Sequence, residues 1–359
     1  MIASLTKAIQ FNTEEVNECK KRVKDLEIQN ELLRKDNDDL KERIFKISCV
    51  FSMESMEIPI LDLANPDLGN LVQELKKAFT EVGFVYLKNT GINQQEVEKV
   101  MHVSKKFFCL PEDMKKPFSR GSFSCNVNHG WVSVETESLN PRRPGDLKEA
   151  YNITSLSGDN KWPSEVDDFR DVHVSFFLRC KDLSLRVLRL MALGLDLEPE
   201  VFLNAHKQIG SDVNATTLRS LYYPPVNSTC VKENQLRCGE HSDYGSITLL
   251  FQSPEGGLQV LNRAGEYVSA PSIPATVLIN IADLMQRWTS DVYMSVAHRV
   301  LLPPAGDSST RQSLAFFVHP DDEAIISCCD GSDNYPPVNS VDYLLSRFND
   351  TYGKKQAVV

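Results

Sequence analysis

From Thr217 to Val318 the chain runs as short apolar segments cut by Pro and Gly turns, a pattern that few architectures accommodate. Leu218–Tyr223, Ser246–Gln252, Leu258–Leu261, Tyr267–Ala270, Thr276–Ile281, Arg299–Leu302 and Ser313–Val318 read as strands. Pro224-Pro225, Pro254-Glu255-Gly256-Gly257, Arg263-Ala264-Gly265 and Pro303-Pro304 separate them. Parallel neighbours need crossovers of a dozen or more residues, usually helical, and most of these gaps are shorter. The pattern therefore predicts a sandwich or jelly roll rather than a parallel sheet.

The half before it is mixed. Ile58–Leu63 alternates like a strand, Leu68–Val82 follows a helical period, and Gly83–Leu87 is a second strand. Gln94–Phe108 is helical and stops before Pro111; Val166–Leu195 predicts a long helix, and Val341–Phe348 a closing one. Phe123 to about Pro163 reads as loop-rich. The fold class expected is mainly β with flanking helices.

Residues 16–47 differ from all of this. One seam holds Val16, Val23, Asn30, Asn37 and Ile44, the other Cys19, Leu26, Leu33, Leu40 and Ile47, with no Pro or Gly inside. This is a heptad repeat, and Asn at the first seam position favours a two-stranded, in-register pairing. A long helix with so narrow an apolar stripe needs a partner, so a parallel homodimer through residues 16–47 is expected; the alternative is one helix lying on its own globular part.

Composition narrows the function classes. A net charge of −10 argues against a nucleic-acid partner. No apolar run approaches the ~20 residues of a membrane span, and the N-terminus lacks a signal-peptide core. Nine scattered cysteines with no CxxC pair read as reduced thiols, which makes the cytoplasm the expected location.

Two constellations carry chemistry. His241 and Asp243, two apart in an extended segment, project to one side and can reach one metal ion; His298 is the candidate third ligand. Two imidazoles and a carboxylate on one side of an octahedron leave positions open, an arrangement suited to iron(II) that binds an organic acid and O₂. Taken alone, His-x-Asp reads first as a surface-loop pair. Arg311 and Ser313 also share a face, inside the apolar run Leu314–Val318. A buried guanidinium needs an anion, and neither neighbouring strand offers one in sequence. Bidentate pairing with the distal carboxylate of 2-oxoglutarate, beside the hydroxyls of Ser313 and Tyr223, answers that need; a distant Asp or Glu is the competing partner.

The ordered set resembles the 2-oxoglutarate/iron(II) dioxygenases of the isopenicillin N synthase-like group. The matching pieces are Tyr222-Tyr223-Pro224, His241-Ser242-Asp243, Asn280–Thr289, Ser295–Val300 and Arg311–Phe317, preceded by Ala78–Ile92, Phe107–Lys115 and Asp146–Glu149. The resemblance implies a double-stranded β-helix, or jelly-roll, core. The resemblance spans about residues 57–325 and does not cover the heptad segment; the chain is thus expected to divide into a coiled-coil extension (12–48), an N-terminal dioxygenase region (57–200), the jelly-roll core (210–325) and a C-terminal helix and tail (326–359). The same resemblance implies iron on His241, Asp243 and His298, and the co-substrate on Arg311, Ser313 and Tyr223. O₂ and 2-oxoglutarate would be consumed, succinate and CO₂ released, and a small organic molecule oxidised, most simply by hydroxylation. Phe317 is placed in the substrate pocket, with a core role as the alternative; His319 is read as facing away. Tyr222, Asn280, Asp283 and Trp288 are expected to be structural. Two departures stand out: Ala282 where the family often has Gly, and Leu221 where it often has an Asn that binds the co-substrate. The competing functions are an iron oxidase of the same fold that spares 2-oxoglutarate, an inert coiled-coil scaffold and a zinc hydrolase.

Overall fold

The computed structural model describes residues 57–121, 128–156, 161–226 and 231–352, together with Arg22 and Lys24. The chain divides into two units, 1–56 and 57–359. In the first, Arg22 and Lys24 are helical and exposed; the heptad seam and its proposed pairing otherwise lie outside the described residues.

The second unit opens with strand β1 (Ile60–Asp62) and helix α1 (Leu68–Glu81). Asp67 caps that helix, its carboxylate accepting the Asn70 N–H at 2.9 Å. Gly83 makes the turn into β2 (Phe84–Lys88) at φ +74°, and a Cβ there would lie 2.4 Å from the Met294 carbonyl oxygen. Helix α2 (Gln94–Phe108) starts on a capping box between Asn93 and Glu96. After β3 (Gly130–Val132) and β4 (Glu149–Ile153) comes α3 (Phe169–Gly194), whose apolar stripe Phe176, Phe177, Leu183, Val187 and Met191 is buried.

The remaining strands are β5 (Thr217–Tyr223), β6 (Cys238–His241), β7 (Ile247–Gln252), β8 (Leu258–Leu261), β9 (Tyr267–Ser269) and β10 (Thr276–Ile281). Short helix α4 (Asp283–Trp288) follows, then β11 (His298–Val300), β12 (Arg311–Val318), the pair β13 (Ile325–Ile326) and β14 (Val338–Asn339), and α5 (Ser340–Tyr352). Eight strands form one sheet in the order β1-β2-β10-β7-β12-β5-β4-β3; four form a second, β6-β11-β8-β9. Every pairing in both is antiparallel except β1 with β2. This is the mainly β, jelly-roll arrangement expected.

Alternation along β12 sorts its residues between two cores. Leu314, Phe316 and Val318 join the cluster packed with α1, α2 and α3. Arg311, Ser313, Ala315 and Phe317 face a cavity walled also by Cys238, Leu258 and Val300 of the smaller sheet. The helices thus back the large sheet, and the cavity opens on its other face.

The loop-rich stretch 123–163 also holds two strands that the sequence did not mark, β3 and β4, and β4 pairs with β5 from Glu149↔Tyr222 to Ile153↔Leu218. All five residues of β4 are buried, so it shows no alternation to find. No helix among the described residues is long and apolar enough to cross a membrane.

Candidate metal centre and its cavity

His241 ends β6 and His298 begins β11, and the two are directly paired across the strands. The register shifts between His298 and Val300, so β6 carries one extra residue beside the site. Asp243 follows in the turn, where Gly245 passes so close to β12 that a Cβ would meet the Val318 carbonyl oxygen at 2.3 Å. The Asp243 Oδ1 lies 3.9 Å from His241 Nε2 and 3.8 Å from His298 Nε2. All three donor atoms fall within 4.8 Å of one another, the one such group among the described residues.

The surroundings aim these atoms. His241 Nδ1 is 2.8 Å from the Gly239 carbonyl oxygen and His298 Nδ1 3.2 Å from that of Val296. A carbonyl can only accept, so each Nδ1 carries a proton, and each Nε2 is left on the side that Asp243 Oδ1 also faces. Asp243 Oδ2 accepts from Thr248 Oγ1 and Asn280 Nδ2, both at 2.7 Å, which leaves Oδ1 for an ion. Burial alone would raise the Asp243 pKa, but His298, His241 and these hydrogen bonds outweigh it and hold the carboxylate ionised. Burial, then His241, pushes His298 down to about 4, so it is a neutral imidazole near pH 7. Two imidazoles and a carboxylate, already oriented, fit a divalent ion of the iron(II) kind.

Farther along β12, Arg311 is buried at 1% exposure. Its Nε donates to the Gly256 carbonyl oxygen at 2.8 Å, Nη2 to Gln252 Oε1 at 2.7 Å, and Nη1 reaches Ser313 Oγ at 3.4 Å. Every one of these partners is neutral, and no carboxylate lies within 4.0 Å among the described residues. The guanidinium also sits over the Tyr223 ring, 4.8 Å from its centre. Arg311, Ser313, Tyr223 and the three metal-site residues all line one cavity. Among the described residues, no acid that would compete with a carboxylate ligand lies within 4.0 Å of Arg311.

Phe317 faces the same cavity, and so does His319. The expectation that His319 faces away is corrected: it is two residues beyond Phe317, and period two returns it to the same side. Its ring is buried with no hydrogen-bond partner among the described residues, and burial lowers its pKa to about 4. Asn280, expected to be structural, supports the Asp243 carboxylate directly; only the cross-strand pair Asn280↔Thr248 brings both supports to it. Asp283 accepts from Ser242, Ser295 and Arg347 and stays off the metal group. Tyr222 stacks on Phe108 and Trp288 packs on Phe202. Leu221 lines the wall as the sequence has it. Lys148, Asn152 and Arg219 line the cavity too, and nothing local in sequence marks them.

A jelly roll whose open face gathers two imidazoles, one carboxylate and an acid-free guanidinium defines a class: the non-haem iron oxygenases that take a keto-acid co-substrate. Two family models agree, the non-haem dioxygenase N-terminal region over residues 58–165 and the 2OG-Fe(II) oxygenase superfamily over 215–320. A Schizosaccharomyces pombe protein of the UPF0676 group is 32% identical over 314 residues, 84% of this chain and 94% of the relative. The 2-oxoglutarate-Fe(II) type oxidoreductase ppzD of Metarhizium rileyi is 32% identical over 276 residues, 71% of this chain and 76% of the relative. A full-length Neurospora crassa protein, solved in complex with alpha-KG and thymine, superposes with a TM-score of 0.73 at 32% identity, covering 83% of this chain and 98% of that one. The chain belongs to the 2-oxoglutarate/iron(II) dioxygenase family. It is an oxidoreductase that uses iron(II), 2-oxoglutarate and O₂.

Proposed function

We propose that His241, Asp243 and His298 hold the iron, that Arg311, Ser313 and Tyr223 receive the distal carboxylate of 2-oxoglutarate, and that the product is a hydroxylated small organic molecule. The observation that carries this is the pairing, in one cavity, of a preoriented metal group with a buried guanidinium that has no carboxylate within 4.0 Å among the described residues. When bound, iron(II) and the keto acid supply the oxidant from O₂, with succinate and CO₂ leaving. The protein's own work is positional. Carbonyls of Gly239 and Val296 fix the imidazoles, Thr248 and Asn280 fix the carboxylate, and Arg311 anchors the co-substrate's far end.

Phe317 supplies an apolar face for the substrate, and His319, Asn152 and Thr217 supply neutral polar groups along the wall. Leu344 and Phe348 of α5 close the cavity over them. A compact, partly unsaturated molecule with a few hydrogen-bonding groups suits that lining, in line with the thymine and 5-formyluracil held by the Neurospora crassa relative. The acid-free setting of Arg311 favours 2-oxoglutarate consumption over the sparing oxidase.

The proposal keeps the division into 57–200, 210–325 and 326–359, with 12–48 as a coiled-coil extension that pairs two chains in parallel through 16–47. It places the protein in the cytoplasm, away from nucleic acid and membranes, on its charge and cysteine usage. The test is succinate formation coupled to O₂ uptake across a metabolite panel, together with iron analysis. His241→Ala is expected to lose both bound iron and succinate formation; iron retained at full stoichiometry by that variant would overturn the ligand assignment.

A further inference from the structure

Arg237, immediately before β6, is a second buried guanidinium, at 2% exposure. Its Nη2 donates to the Ser309 carbonyl oxygen at 2.8 Å, while its buried Nε has no hydrogen-bond partner. No carboxylate lies within 4.0 Å of it among the described residues. Its guanidinium carbon lies 6.0 Å from the centre of the Tyr223 ring, the ring that Arg311 also covers at 4.8 Å. Burial first, then the charge on Arg311, lowers its pKa, while Tyr223 and the more distant Asp307 and Glu255 act the other way.

The other buried cations of this fold are handled differently. Lys115 has Glu149 at 2.6 Å, Lys148 has Asp146 at 2.5 Å, and Arg219 pairs with Glu137. Burying one unpaired guanidinium is unfavourable; burying two around a single ring is worse, because they repel. Both costs fall when an anion enters between them and the metal group. On the reading given above, which this inference rests on, that anion is the far carboxylate of the co-substrate.

We propose that Arg237 is a second cation of the 2-oxoglutarate subsite, a positioning residue that acts across Tyr223 rather than by touching the ligand. It is absent from the cavity wall, where Tyr223 stands in its place. Two effects follow. Its charge raises the potential that Arg311 presents to a carboxylate, and its stacking holds the Tyr223 ring, whose hydroxyl has no protein partner among the described residues. Arg237 therefore adds discrimination between keto acids that carry a second carboxylate and those that do not.

The test is calorimetric titration of the full chain, loaded with manganese(II) in nitrogen-purged buffer, with 2-oxoglutarate and separately with 2-oxobutyrate. The latter keeps the keto-acid head and lacks the distal carboxylate. Arg237→Gln is expected to weaken 2-oxoglutarate about tenfold and leave 2-oxobutyrate within twofold; Arg237→Lys restores part of the loss. Equal weakening of both keto acids would make Arg237 structural only, and no change in either would also overturn the proposal. Melting temperature and manganese affinity, followed on each variant, identify a misfolded protein; Arg237→Lys then decides, because it keeps charge and bulk. Arg311→Met in the same titration separates the two layers of argument. If it leaves 2-oxoglutarate binding intact, the subsite reading itself fails; if it abolishes binding while Arg237→Gln changes nothing, only the present inference does.

Discussion

Two neighbourhoods beside one cavity hold positive charge, and they do it in opposite ways. Around Lys148 and Arg219 each cation has a carboxylate within reach: Arg120 with Glu137 at 3.2 Å, Lys148 with Asp146 at 2.5 Å and Glu137 at 3.9 Å, and Arg219 with Glu137. Around Tyr223, Arg311 and Arg237 have carbonyls, an amide and a hydroxyl, and no acid within that reach among the described residues. Charge already matched inside the fold stabilises it. Charge left unmatched costs stability until a ligand arrives, which is how a binding site differs from a structural ion cluster.

The largest effect should come from breaking the matched side. Glu137 is fully enclosed; burial would raise its pKa, yet Arg219, Lys148 and Arg120 outweigh that and hold it at about 2. Glu137→Gln removes the carboxylate those cations share, while Lys148 keeps Asp146 at 2.5 Å, and is expected to cost about 3–5 kcal/mol in denaturant unfolding. A loss under about 1 kcal/mol would mean that the cluster is not doing the neutralising described here.

The unmatched side should respond the other way. Arg311→Met removes an uncompensated cation, so apo stability is expected to hold within about 1 kcal/mol or rise. Affinity for 2-oxoglutarate should fall about 100-fold, near 2.7 kcal/mol. A large loss of apo stability would reveal an internal anion partner and erase the contrast.

The smallest effect concerns buried groups that carry no charge. Burial lowers His129, His173, His206 and His319 from 6.5 to about 4. Between those values the unfolded chain binds protons that the folded chain does not. Stability is therefore fully present above pH 6.5 and lost as pH falls toward 4. His206, held by the Phe202 carbonyl oxygen at 2.7 Å and Ser246 Oγ at 2.9 Å, is the one to remove. His206→Gln should flatten the slope of stability against pH in that window by up to about 1.4 kcal/mol per unit. An unchanged slope in thermal melts from pH 7 to 4 would place the acid sensitivity elsewhere.

Much of this was readable before any coordinates. The alternating strands of the core and the helices α1 and α2 announce themselves by local pattern, whereas His241, Asp243, His298 and Arg311 stand out only as members of an ordered set of motifs that resembles a family. What stayed hidden has a common cause. β4 is buried along its whole length, with Glu149 satisfied by Lys115 and Trp131 and the Asn152 amide nitrogen donating to Asn128, so its polar residues imitate a loop. β6 contains a glycine and a glutamate and gains its strand character only from β11. Asn280 and Arg237 owe their meaning to partners far away in the chain, Asp243 and Tyr223. Such roles are written in strand register, and register is not visible in a linear pattern.

Because peptide oxygens, not side chains, set the orientation of both imidazoles, that aim does not depend on which side chain stands at position 296, whereas at Gly239 an added Cβ would lie 3.0 Å from Asn140 Cβ. Val296 can become another amino acid and still present the same acceptor to His298. Reactivity and selectivity are consequently separable traits in this barrel: the pocket lining can drift or be redesigned while the metal-facing nitrogens keep their direction.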